Sequence, residues 1–120
     1  MKSNNRALGR KGEEAASQYL TKKGLKVIET NYRLREGEID LIALDDEVIV
    51  FVEVKTRKRN DFGHPMEAVD PKKQNKIRRV AEIYLAQKGW SEREVRFDAF
   101  SLQYDHKKQK WQGQWIKHAF

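Results

Sequence analysis

The run Gly37-Glu38-Ile39-Asp40-Leu41-Ile42-Ala43-Leu44, a polar link at Asp45-Asp46, and the run Val48-Ile49-Val50-Phe51-Val52-Glu53-Val54-Lys55-Thr56 decide how this chain folds. Both runs are rich in β-branched and aliphatic residues, and a short polar link between two such runs predicts a β-hairpin. Side chains on a strand alternate between its two faces. Glu38 and Asp40 therefore share one face of the first strand, and Glu53 and Lys55 share one face of the second. Twelve residues separate Asp40 from Glu53, and one separates Glu53 from Lys55. Closed as a hairpin, the chain gathers these groups at one end of an otherwise apolar pair of strands. Carboxylates in such a place cost free energy unless something cationic compensates them. A divalent metal ion meets that need, and so does a cross-strand salt bridge from Lys55 to Asp40 or Glu53. The spacing alone does not separate the two. The apolar strands around the acids and the basic clusters beside them favour the metal.

Working outward, the second strand places Ile49 and Phe51 on one face and Val48, Val50, Val52 and Val54 on the other. A strand apolar on both faces belongs at the centre of a sheet covered on both sides. Residues 6–23 read as a helix with Leu8, Ala15, Ala16, Tyr19 and Leu20 on one stripe, stopped at Gly24. Gly9 and Gly12 allow another backbone to approach it closely. Residues 25–34 read as a strand. Beyond the hairpin, residues 57–69 form a loop, and Asp70-Pro71 opens a second helix as N-cap and first helical residue. Ile77, Val80, Ala81, Tyr84 and Leu85 make its buried stripe, and Gly89 ends it. A fourth strand covers residues 94–102, and a short edge strand Trp111–Ile116. The order helix, three strands, helix, strand, strand predicts one α/β domain over residues 1–120, with a mixed sheet flanked by helices.

Composition limits the function. The chain has 120 residues, no cysteine and a net charge of +7. Disulfides, thiolate metal sites and cysteine nucleophiles are excluded. There is no long apolar run and no apolar leader after Met1, so a cytoplasmic location without membrane contact is expected. The basic residues cluster on either side of the loop: Lys55, Arg57, Lys58 and Arg59 before it, and Lys72, Lys73, Lys76, Arg78 and Arg79 after it. Such clusters suit a polyanion, and nucleic acid is the expected partner.

The expected chemistry is phosphodiester hydrolysis. Mg2+ and Mn2+ take oxygen ligands, typically a few carboxylates completed by waters and substrate phosphate. Asp40 and Glu53 would supply the protein oxygens, and Lys55 would orient the attacking water or stabilise charge on the phosphate. Glu13 lies at the edge of the first helix's apolar stripe, where it can face the sheet or remain a solvated glutamate. Lys73 and Gln74, in the first turns of the second helix, could hold a phosphate or water there, or form an ordinary polar first turn. Asp98 reads as structural, paired with an arginine. His64, His106 and His118 read as surface residues, and Trp90, Trp111 and Trp115 as packing aromatics.

The chain also resembles the YraN family of small bacterial proteins, within the PD-(D/E)XK nuclease-like superfamily, and is similar in outline to archaeal Holliday-junction resolvases. The resemblance runs through Gly9-Arg10-Lys11-Gly12-Glu13-Glu14-Ala15-Ala16, Gly37-Glu38-Ile39-Asp40-Leu41-Ile42 and Phe51-Val52-Glu53-Val54-Lys55-Thr56-Arg57. It continues through Ala68-Val69, Lys73-Gln74, Arg96-Phe97-Asp98 and the closing Trp115–Phe120. It implies a restriction-endonuclease-like core. It also implies Asp40 and Glu53 as metal ligands, Lys55 as catalytic lysine, Glu13 as accessory acid and Gln74 as a polar helix position. Ile39 stands where the superfamily's name has proline. Two functions fit. One is a metal-dependent endonuclease acting on DNA, with branched or junction DNA as candidate substrate and a homodimer by analogy with the resolvases. The other is a non-catalytic nucleic-acid-binding module on the same fold.

Overall fold

The computed structural model describes residues 2–57 and 69–120, with side-chain environments from Gly9 to Thr56 and from Val69 onward. The elements are α1 (Lys2–Lys22), β1 (Lys26–Leu34), β2 (Gly37–Asp45), β3 (Val48–Arg57), α2 (Pro71–Lys88), β4 (Val95–Asp105) and β5 (Lys110–Ile116). The strands form one sheet in sequence order, β1-β2-β3-β4-β5. Only β3 and β4 pair in parallel; the other neighbours are antiparallel. A parallel neighbour requires the chain to cross back over the sheet, and α2 lies in that connection.

β3 is the central strand, and both its faces are buried as its double apolar pattern requires. Ile49 and Phe51 pack with Ile77, Val80, Ala81, Tyr84 and Leu85 of α2. Val50 and Val52 pack on the other face with Ala16 and Leu20 of α1 and with Phe100 and Leu102 of β4. Each such side chain contributes about 1.5–3 kcal/mol on leaving water. Gly12 is what lets α1 settle against β3: a Cβ at that position would overlap Thr56 Oγ1.

The helix boundaries follow the expected chemistry. Asp70 accepts the Lys72 N–H at 2.8 Å, and Pro71 follows at the first helical position. Gly89 ends α2 with φ 72°, and the Trp90 N–H reaches the Leu85 carbonyl at 2.8 Å. That is the left-handed helix termination glycine permits. Gly24, with φ 97°, ends α1 in the same way. Two boundaries differ from expectation. α1 begins at Lys2, because no glycine or proline interrupts the residues before Arg6. β4 continues to Asp105, because β5 holds its polar end: Tyr104 pairs with Trp111 and Asp105 with Lys110. Among the described residues β3 runs to Arg57 opposite Gln103, and β4 continues two residues beyond that pair to Asp105.

Asp98 is the main polar tie in this half of the molecule. It is fully buried and accepts the Arg96 guanidinium through both oxygens, at 2.9 and 3.0 Å. It also accepts the Trp115 indole N–H at 2.9 Å and the His118 backbone N–H at 3.1 Å. Arg96 reaches Asp45 as well, at 3.0 Å. The hydrogen bonds to Asp98, opposed by burial and reinforced by Asp45, raise the guanidinium pKa further. Trp90 lies against the α2-side core, and Trp111 and Trp115 against the α1-side core. Removing the carboxylate would leave a nearly buried cation and two N–H donors without it, so Asp98→Ala is predicted to cost ~3–5 kcal/mol. Urea denaturation would measure it, and a loss under about 1 kcal/mol would contradict this account.

Candidate metal centre

β2 and β3 pair from Asp45 opposite Val48 as far as Leu41 opposite Val52, and there the ladder ends. At the next residue Asp40 turns its carboxylate toward β3, and Oδ2 accepts the Val54 N–H at 2.8 Å. A side-chain oxygen thus occupies the place of a main-chain carbonyl, and the two strands part. The β1 side is irregular at the same level. Thr30 pairs with Leu41 and Tyr32 with Ile39, and Asn31 between them is left-handed at φ 52°. The simple alternation of β2 breaks here: Ile39 and Ile42 both face the α2-side core, whereas Leu41 faces the α1 side.

Into this gap come acids from three elements. Glu53 of β3 is buried and hydrogen-bonded to Asp40. Carboxylate oxygens of Glu13 on α1, Glu38 on β2 and Asp40 lie within 4.8 Å of one another. Burial, followed by the Glu53 hydrogen bond and charge, pushes the Asp40 pKa from 3.8 up to about 9; the Val54 N–H opposes the rise and Glu13 adds to it. Two carboxylates this close in an apolar surrounding share a proton rather than both ionise. Lys73, in the first turn of α2, places Nζ 3.1 Å from Glu53 Oε2. Arg33 holds Glu38 at 3.0 Å. Beside the acids is an open cavity of about 650 Å3 lined by Gly9, Arg10, Glu13, Asn31, Arg33 and Glu38.

The residues singled out in the sequence therefore fare differently. Asp40 and Glu53 meet, as the hairpin requires, and Glu13 joins Asp40 from α1. Lys55 is half-buried, on the Glu53 side of β3 by alternation, and in register with Ser101 of β4. The Ser101 hydroxyl is buried and has no hydrogen-bond partner among the described residues. Gln74 donates its side-chain N–H to the Val69 carbonyl at 2.7 Å, which ties down the start of α2. Lys72 and Lys76 are exposed on the same helix, and Arg57 is the last residue of β3. Lys58, Arg59 and His64 lie outside the described residues. Glu38 was gathered with Asp40 by their spacing of two but given no part as a ligand, and its meeting with Glu13 was not foreseen. The Lys73–Glu53 ion pair had no signal in the sequence beyond the basic first turn of α2.

The donor set suits a hard divalent cation. All candidate ligands are carboxylate oxygens, as Mg2+ and Mn2+ prefer, and Asp40 belongs to both groupings, with Glu53 and with Glu13 and Glu38.

The fold and site define a small α/β protein with an acidic centre at the parting of two central strands. Residues 12–102 match the profile of a family described as "Uncharacterised protein family UPF0102", and the chain belongs to it. YraN is another name for that family. Relatives, each described as a UPF0102 protein, include one from Dictyoglomus turgidum, 40% identical over 98% of this chain and 99% of its own length. One from Caldanaerobacter subterraneus subsp. tengcongensis is 48% identical over 84% of this chain and 83% of its own. One from Prosthecochloris aestuarii is 50% identical over 79% and 75%. No helix among the described residues is long and apolar enough to cross a membrane.

Between about pH 4 and pH 9 the folded chain retains on Asp40 a proton that the unfolded chain releases, so the metal-free protein loses stability as pH rises through that window. Asp40→Asn keeps the shape and an acceptor for Val54 without the titration. It is expected to be more stable than wild type at pH 8, by ~1–3 kcal/mol, and close to wild type at pH 4.5. Urea melts in chelator would test this, and a variant no more stable at pH 8 than at pH 4.5, relative to wild type, would contradict it.

Proposed function

We propose that this chain is a divalent-metal-dependent endonuclease with a restriction-endonuclease-like, PD-(D/E)XK core, acting on DNA phosphodiesters. The observation that carries the reading is the parting of β2 and β3 at Asp40. It sets Asp40 against Glu53 and brings carboxylate oxygens of Asp40, Glu13 and Glu38 within 4.8 Å of one another, with Lys55 on the same stretch of β3. Asp40 and Glu53 are the proposed ligands of Mg2+ or Mn2+, with Glu38 and Glu13 completing the acidic set directly or through water. A bound divalent ion would supply Lewis-acid polarisation of the phosphoryl oxygen and a more acidic water.

The protein's own groups have separate tasks. Asp40 in its ionised form and Glu53 would hold the ion. Lys73, which pairs with Glu53 in the structure, would stand beside the site with an ammonium suited to a substrate phosphate. Lys55 orients the nucleophilic water or stabilises charge on the scissile phosphate. Ser101, beside Lys55 in the ladder, offers a hydroxyl to a water at that position. Branched or junction DNA is the proposed substrate, and a symmetric dimer the proposed assembly, both by resemblance to the resolvases.

One observation favours the second reading, a non-catalytic nucleic-acid-binding module. Lys73 and a retained proton already offset much of the charge of the Glu53–Asp40 pair. The two readings part in a cleavage assay on labelled duplex, single strand, flap and four-way junction with Mg2+, Mn2+ or chelator. Metal-dependent cleavage is expected in the wild type, and Glu53→Ala or Lys55→Ala should lower it at least ~10²-fold. Binding without strand breakage in every metal would remove the enzymatic reading.

A further inference from the structure

The tip of the β4–β5 hairpin is a basic element that the acidic centre does not use. Its turn reads His106-Lys107-Lys108-Gln109-Lys110, and all five residues are exposed. The turn is held in one shape. Asp105 Oδ1 accepts the N–H groups of Lys107 and Lys108 at 2.9 and 3.2 Å, and Gln109 takes the left-handed conformation at φ 52°. The base of the hairpin is braced by aromatics. Tyr104 packs edge-on to Trp111 at 5.2 Å and to His106 at 4.9 Å, and Lys11 of α1 sits over the Trp111 ring at 4.9 Å. The acid within the hairpin is occupied by backbone donors, so three lysines face outward from a braced support.

Register fixes where this support stands. β3 and β4 are parallel, so the hairpin projects from the end of the sheet toward which Glu53 and Lys55 lie on β3. The level of Asp40 is marked by Val54, whose N–H it accepts, and Val54 pairs with Phe100. From Phe100 to Asp105 the strand advances five residues, or ~17 Å. Successive phosphates of one duplex strand are ~3.4 Å apart along the axis. For a duplex lying along β4, the hairpin tip would stand about five base-pair steps from a phosphate placed at Asp40.

From this placement we infer that the β4–β5 hairpin is a second phosphate-backbone clamp, with Lys107, Lys108 and Lys110 gripping the arm of a DNA duplex about five base pairs from the phosphate at the acidic centre. The inference rests on the proposed nucleic-acid substrate but not on cleavage. Rigid spacing favours a duplex arm, because a flexible single strand does not hold its phosphates at a fixed distance from the anchoring one.

The test is binding, measured in chelator so that nothing is cut. Wild type and the triple variant Lys107→Gln, Lys108→Gln, Lys110→Gln are titrated with loop-closed stems of 4, 8, 12 and 20 base pairs and with a 20-nucleotide single strand, at several salt concentrations. The three side chains are exposed, so the variant should keep the wild-type thermal midpoint, which is checked first. Wild type is expected to gain affinity steeply between 4 and 8 base pairs. The variant should lack that step, bind the long duplexes about tenfold more weakly near 0.1 M salt, and show a salt slope shallower by about 2–3. Equal affinities and slopes for the two proteins would overturn the clamp, as would equal weakening on the single strand and on every duplex length. Wild type that binds no nucleic acid would overturn the clamp and the proposed function together. A lost step in a protein that never cuts would uphold the clamp and remove only the nuclease.

Discussion

The hydrogen bond from the Val54 N–H to Asp40 Oδ2 is the constraint on which the rest of the site depends. A buried backbone donor must find an acceptor, and where a ladder stops the usual acceptor is gone. Here a carboxylate provides it. That single bond lets β2 leave β3 without an orphaned amide, and it leaves Asp40 shared between Glu53 and the Glu13–Glu38 pair. It also fixes the orientation of Asp40, so the acid that terminates the ladder is the one best placed to face an ion. The cost is a carboxyl group pushed far from its ordinary pKa. A protein built for stability alone would not retain that arrangement at the centre of its sheet.

The surroundings divide the work between rigidity and charge. Both faces of β3 are closed by helices, so the acidic end of the sheet cannot relax by shifting the strand. The Arg96–Asp98 pair and the Trp115 and His118 donors hold β4 and the residues after β5 to one another. Lys73 and Arg33 each take one glutamate of the acidic centre, and further cationic side chains stand around it. A cationic surround with an acidic centre is the charge arrangement that attracts a polyanion while reserving one position for a metal.

Much of this was legible in the sequence. The double apolar face of residues 48–54 placed β3 at the centre, and the Asp70-Pro71 and Gly89 signals bounded α2. The period of two brought Asp40 toward Glu53, and Asp98 was read as an arginine's partner. What escaped the reading depends on departures from regular geometry. Glu38 converges with Glu13 where the alternation of β2 breaks opposite the left-handed Asn31, and alternation is the rule by which a strand is read. The Lys73–Glu53 contact is a tertiary meeting of a helix start with a strand, which no local period encodes. The length of β4 was underestimated because its end is polar, and only pairing with β5 makes it a strand.

The topology also bears on how the chain reaches this state. β1, β2 and β3 form a meander in which each strand pairs with the next across a short turn, so Glu38, Asp40, Glu53 and Lys55 are brought together by contacts close in sequence. The β3–β4 pairing, by contrast, joins residues separated in sequence by the whole of α2. Local contacts close small loops and form early, and distant parallel pairings form late. The order of assembly that this implies puts the repelling carboxylates together before the second layer of the sheet has closed, when water still screens them, and leaves their desolvation to the final docking of α2 and β4.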